Sequence, residues 1–138
     1  MSPAEGASEG PAGELVEVVD GSGAVVRVAT RAEVRAGNLR HRCTYIAVVD
    51  GDGQLVVHQR ADWKDVYPGF WDLCFGGICG VGEDWERSAA RELAEEAGIT
   101  GAALRPLAPV TYDADDGHIV GRAYLARWSG PVTCPAGE

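Results

Sequence analysis

The chain opens with short β-branched runs, carries one continuous apolar run in its first half, and adopts a four-residue apolar period near residue 85. ELVEVVD (14–20) and AVVRVAT (24–30) alternate loosely and enclose Gly-Ser-Gly after Asp20, which predicts an antiparallel hairpin. Thr30-Arg31-Ala32-Glu33 reads as a capping box, so a short helix should run to Ala36 and stop at Gly37. CTYIAVV (43–49) is apolar throughout, as expected of a buried central strand. Asp50-Gly51-Asp52-Gly53 turns the chain into a partner strand, QLVVHQ (54–59). A polar loop (60–68) and a Pro68-Gly69 turn lead to a short aromatic strand, FWDLCF (70–75). Trp85, Ala89, Leu93 and Ala97 then recur every four residues, the core-facing stripe of a helix over 85–97 with Asp84 as N-cap and Gly98 behind it. Two further strands, about 107–113 and 118–128, turn at Asp115-Asp116-Gly117. These elements predict a mixed α/β fold with a partly antiparallel sheet and the long helix on one face.

Composition adds boundaries. The chain has 138 residues, enough for one domain with one good core. Residues 1–13 are polar and glycine-rich and read as a disordered leader, leaving a single domain over 14–138. Their lack of a basic start and an apolar stretch argues against a signal peptide, and no apolar run is long enough for a membrane span. A net charge of −9 argues against binding a nucleic-acid polymer, whose phosphates need a basic footprint, but leaves room for a small phosphorylated substrate held with cations. The four cysteines (43, 74, 79 and 134) show no C-x-x-C spacing, as in a reduced, cytoplasmic protein.

The stretch from Gly77 to Ile99 carries the chemistry. Glycines 77, 80 and 82 bend a loop, and Glu83, Glu86, Glu92, Glu95 and Glu96 follow within fourteen residues. Glu92, Glu95 and Glu96 stand at i, i+3 and i+4, so their carboxylates share one helical face. Such pairs repel by roughly 0.2–0.5 kcal/mol each, a cost that a hard divalent cation converts to a gain. Arg91 lies four residues before Glu95 and can orient a carboxylate, while Glu83 can approach from the loop. A solvated acidic helix face is the plain alternative.

The spacing resembles the Nudix box, G-x5-E-x7-R-E-U-x-E-E-x-G-U with U aliphatic. Gly77, Glu83, Arg91-Glu92-Leu93, Glu95-Glu96 and Gly98-Ile99 satisfy every defined position, nine residues in a span of 23. The resemblance implies a Nudix-type α/β/α sandwich and Mg²⁺- or Mn²⁺-dependent cleavage of a phosphoanhydride in a nucleoside-diphosphate-linked or other organic diphosphate. It implies Glu92, Glu95 and Glu96 as metal ligands and catalytic residues, Glu83 as an accessory ligand, Arg91 as their orienting partner, and Gly77 and Gly98 as structural glycines.

Residues 38–99 further resemble the Nudix branch related to isopentenyl-diphosphate isomerase, through NLRHRCTYIAVV, LVVHQR, KDVYPGFWDLCFGG and the box. An isomerase is therefore one alternative. Isomerases of this branch carry a cysteine in a W-x-N-x-x-C-x-H segment, and alignment on Trp71 puts Gly76 at that cysteine, which favours the hydrolase. A catalytically idle domain that binds a nucleotide or a protein is the other alternative. Proteins of the branch usually continue with another strand and a helix. This chain stops at Glu138, either as a genuinely short form or as a truncated one with an uncovered apolar sheet face, open to homodimerisation.

Substrate contacts are expected from Arg42, Arg60, Trp63 and Tyr67, with Arg40 and Lys64 as further cations for phosphate. Core packing is expected for Phe70 and Trp71, a structural or substrate-edge place for His41, a sheet face for His58, and a turn for Asp113, Asp115 and Asp116.

Overall fold

A computed structural model of the chain describes residues 12–59 and 71–133. The expected leader lies outside the described residues except for its last two. Arg60, Trp63, Lys64, Tyr67, Phe70 and Cys134 also lie outside them.

The elements follow in the order β1 (Leu15–Val19), β2 (Val25–Thr30), α1 (Arg31–Gly37), β3 (His41–Val49), β4 (Leu55–Val56), β5 (His58–Gln59), β6 (Trp71–Asp72), β7 (Phe75–Ile78), α2 (Trp85–Ala97), β8 (Leu104–Ala114) and β9 (Gly117–Arg127). Among the described residues the main sheet has seven strands, ordered β2-β1-β3-β9-β8, with β4 and β7 also paired to β3. The apolar run predicted as central is the hub. Along one side β3 meets β1, β7 and β4 antiparallel, and along the other it runs parallel to β9 over its whole length.

Two turns share one chemistry. Asp20 Oδ1 accepts from the Ser22 and Ala24 amides, and Asp50 Oδ1 accepts from those of Asp52 and Gln54. Glycines 23 and 53 then supply the positive φ that closes each turn.

Residues of β3 alternate between two cores. Ile46 and Val48, with Phe75, Tyr124 and Ala126, pack under Ala89, Leu93 and Ala97 of α2. Cys43, with Ile78 and Ile119, joins Val16, Val18 and Val34 of α1 on the other face. One helix on each face of a mixed sheet is the α/β sandwich that the sequence implied. Among the described residues no helix is long and apolar enough to cross a membrane. Neither Cys43, Cys74 nor Cys79 is in a disulfide.

The capping box forms as expected, with Thr30 and Glu33 exchanging hydrogen bonds. The helix ends one residue later than expected. Asn38 takes the left-handed conformation at φ 49, while its side chain donates to the Ala114 carbonyl at 2.8 Å and its carbonyl meets His118 Nδ1 at 2.8 Å. Those ties to the β8–β9 hairpin account for asparagine rather than Gly37 at the cap.

The middle of the chain departs most from expectation. The run 54–59 splits at Val57, because β4 pairs with β3 whereas β5 pairs with β6 in a separate ribbon. The run 70–75 also breaks. Asp72 accepts from the Cys74 amide, and the turn separates β6 from β7. Trp71, expected in the core, is 65% exposed at the ribbon. His58 stacks on Phe75 at 4.2 Å between ring centroids.

Candidate functional site

The site forms where β7 feeds a glycine-bent loop into α2. Gly77 lies in β7 opposite Thr44, not in the loop where the sequence placed it. Its role is spatial. A Cβ there would come within 3.0–3.1 Å of the Glu92 carboxylate, so the bare backbone lets that carboxylate lie against the strand. Gly76 is more constrained still. Its φ is +143°, and an added Cβ would meet the Thr44 carbonyl oxygen at 2.0 Å. Its amide donates to Glu96 Oε1 at 2.6 Å.

The helix stops and starts as expected. Asp84 accepts from the Arg87 amide at 2.8 Å, and Gly98 closes the helix at φ +67°. The resulting phase buries Glu92 and Glu96, at 1% and 4% exposure, and leaves the Glu95 side chain exposed. Burying two carboxylates in a 13-residue helix is costly without partners.

Arg91 supplies much of the compensation. Its Nε and Nη2 donate to Glu83 Oε2 and Oε1 at 2.8 and 2.9 Å, and Nη1 donates to Glu92 Oε1 at 3.0 Å and Glu95 Oε2 at 3.3 Å. Nη2 also reaches the Ile78 carbonyl at 3.2 Å. Glu83 is further fixed by the Gly80 amide at 2.8 Å.

The electrostatics separate the carboxylates. Burial pushes the Glu92 carboxyl up to about 7; the Arg91 charge opposes the shift, while those of Glu95 and Glu83 add to it. The hydrogen bonds from Arg91 hold Glu83 below its ordinary value, with the Gly80 amide assisting. Arg91 itself is raised, chiefly by its bond to Glu83.

Among the described residues no three carboxylate, histidine or cysteine side chains are arranged to hold a metal ion as they stand. The Arg91 guanidinium stands among Glu83, Glu92 and Glu95. The donors themselves fit a hard divalent cation, being all carboxylate oxygens. A buried carboxylate with a raised pKa is a group that a cation would stabilise in its charged form.

The family is settled by the extent of the match. A NUDIX domain model matches residues 39–137, which contain β3 to β9 and the whole carboxylate cluster. The chain belongs to the Nudix family. It is 44% identical over 88 residues to an uncharacterised Nudix hydrolase of Yersinia pestis, covering 64% of this chain and 48% of the relative. It is 37% identical over 125 residues to another from Pseudomonas aeruginosa, covering 91% of this chain and 74% of the relative. The chain spans about half the length of several curated relatives that it matches. A crystal structure from Deinococcus radiodurans superposes with a TM-score of 0.77 at 23% identity, covering 90% of this chain and 78% of that one. The Nudix domain of Shewanella oneidensis NrtR, crystallised with ADP ribose, gives a TM-score of 0.57 at 21% identity, covering 77% and 76%. Both structures share the fold. Nudix hydrolases as a family use divalent metal ions.

Of the expected site residues of this Nudix chain, Glu83, Arg91, Glu92 and Glu95 are in mutual contact through Arg91, and Glu96 meets β7 beside them. Arg42 is committed within the protein. Its Nη2 donates to Glu17 at 3.0 Å and to the Glu83 carbonyl at 2.7 Å, and its guanidinium lies 4.9 Å from the Trp85 ring centroid. The expected substrate contacts Arg60, Trp63 and Tyr67 lie outside the described residues. Arg40 pairs with Asp113 at 3.5 Å. His41 is buried, its Nδ1 against the Leu39 carbonyl. Glu17, a residue that carries no motif, also touches the loop, accepting from the Gly82 amide at 3.2 Å. Its one signal was a carboxylate among valines in a β-strand, on the face opposite Val16 and Val18.

Proposed function

We propose that this Nudix chain is a hydrolase that cleaves a phosphoanhydride bond in a nucleoside-diphosphate-linked or other organic diphosphate, with Mg²⁺ or Mn²⁺ bound by Glu92, Glu95 and Glu96 and with Glu83 as an accessory ligand. The observation that carries the reading is the buried Glu92 carboxylate. It lies against Gly77, shares one arginine with Glu83 and Glu95, and is pushed up to about 7 by burial. A helix built only for a solvated surface would leave that carboxylate in water.

When bound, such ions would neutralise the leaving phosphate and make an attacking water nucleophilic. The chain's own part is arrangement. Arg91 holds Glu83 and Glu92 in one place, and the Gly76 amide holds Glu96. Exposed Glu95 is the member of the cluster open to solvent. We assign substrate contacts to Arg60, Trp63 and Tyr67, and to Arg42 the holding of the loop.

The isomerase alternative meets a steric objection. At the position of the isomerase cysteine, the Gly76 backbone leaves no room for a Cβ.

The test is turnover of a diphosphate panel with Mg²⁺ or Mn²⁺, reading released phosphate products. ADP ribose leads the panel because a domain of this fold holds it, followed by other nucleoside diphosphate derivatives and isoprenoid diphosphates. Glu95→Gln and Glu96→Gln should each lower turnover by at least about 100-fold. Turnover that survives both changes would refute the metal assignment, and retained binding without turnover would favour the idle domain.

A further inference from the structure

The geometry points to Glu17 as a positioning residue for the metal site: through Arg42 and the Gly82 amide it fixes the loop backbone from which Glu83 enters the carboxylate cluster. The inference rests on the reading that those carboxylates hold a divalent cation. It adds a residue that precedes the matched family residues, since β1, β2 and α1 all come before residue 39.

The placement follows from strand geometry. Val16 and Val18 point into the core under α1, so Glu17 projects from the opposite face, the one that α2 covers. β1 meets β3 with Val18 opposite His41, and the same register carried one step sets Glu17 opposite Arg42. The two side chains are only 14% and 11% exposed and meet at 3.0 Å.

Arg42 then grips the loop at three points. Its carbonyl accepts from the Cys79 amide at 2.9 Å, its Nη2 donates to the Glu83 carbonyl at 2.7 Å, and its guanidinium lies over Trp85, the first residue of α2. Glu17 adds a fourth point with its second oxygen, which accepts from Gly82. Gly82 sits at φ +71° and directly precedes Glu83. Loop and helix start are thus held from the N-terminal hairpin, while Arg91 and the Gly80 amide hold the Glu83 carboxylate from the other side. Without Glu17 the largely buried Arg42 has no carboxylate partner among the described residues, and the Gly82 amide loses its acceptor. The loop backbone is then free to shift, and Glu83 with it.

Mn²⁺ affinity tests this directly, measured on the full chain by the electron paramagnetic resonance signal of free Mn²⁺, well below the melting temperature of every variant. Glu17→Gln should weaken Mn²⁺ binding roughly tenfold, the usual scale for removing a group that orients a ligand. The metal concentration for half-maximal hydrolysis should rise in parallel, with substrate KM unchanged at saturating metal. Val28→Thr alters the exposed residue paired with Glu17 in the hairpin and should leave Mn²⁺ affinity unchanged. Should Glu17→Gln fail to fold, Glu17→Asp keeps the charge, shortens the reach, and is read in the same way. A melting temperature that falls while Mn²⁺ affinity holds would overturn the inference and leave the hydrolase reading intact. An unaltered chain that neither binds Mn²⁺ nor hydrolyses any diphosphate would overturn both.

Discussion

Arg91 binds both carboxylate oxygens of Glu83 with two different nitrogens, at 2.8 and 2.9 Å, across eight residues of sequence. A fork of this kind needs a planar guanidinium. Arg91→Lys should therefore not rescue Arg91→Ala. Each should lower stability by about 2 kcal/mol, discounted because the Arg91 side chain is itself partly exposed. Urea denaturation at neutral pH checks this, and a lysine variant as stable as the unaltered protein would count against the fork.

Glu92 sets a pH dependence. Its carboxyl is pushed up to about 7 in the folded chain against an ordinary 4.5. Between those values the folded chain holds a proton that the unfolded chain has released. The contribution of this group to stability is therefore fully present below about 4.5, declines as pH rises, and is gone above about 7. The span is on the order of 3 kcal/mol. Glu83, held low by Arg91, acts in the opposite sense and only in acid. With chelator present, the denaturation midpoint should fall between about pH 4.5 and pH 7, and Glu92→Gln should flatten that fall. An equally steep profile in the variant would assign the effect elsewhere.

The adjacent glycines should separate stability from metal binding. Gly76→Ala places a methyl 2.0 Å from a backbone oxygen at a φ that side chains rarely adopt, so it should cost at least about 3 kcal/mol. Gly77→Ala instead meets the far end of the Glu92 side chain, which must shift to make room. It should cost roughly 1 kcal/mol in stability and about tenfold in Mn²⁺ affinity. Equal melting temperatures for the two variants would contradict this division.

Burial makes a contrasting pair of Leu93 and Trp71. Leu93→Ala empties a site under α2 and should cost about 3 kcal/mol, whereas Trp71→Ala removes a larger but exposed side chain and should cost less than about 0.5 kcal/mol. Thermal melts of both variants decide it.

What could be read from the sequence was set by local chemistry. The capping box at Thr30, the Asp-Gly turns and the stripe from Ala89 to Ala97 depend on neighbours in sequence and formed as expected. Spacing also put Glu92, Glu95 and Glu96 on one helical face. It could not divide them into buried and exposed members, because that follows from how α2 sits against β7. Trp71 was misplaced because hydrophobicity does not reveal that its strand leaves the main sheet. Glu17 was missed because its partners lie 25 and 65 residues away.

The departure of β5 and β6 from the main sheet has an evolutionary consequence. Val56 pairs with Val48 and Phe75 pairs with Ile46, so the chain leaves β3 and rejoins it only two residues apart. The stretch from 57 to 74 has both its ends fixed by β3. Its length and composition can diverge, or be exchanged in the laboratory, while the register that places Gly76 and Gly77 under the acidic helix stays the same. On the hydrolase reading proposed above, this stretch can vary while the carboxylate cluster keeps its place.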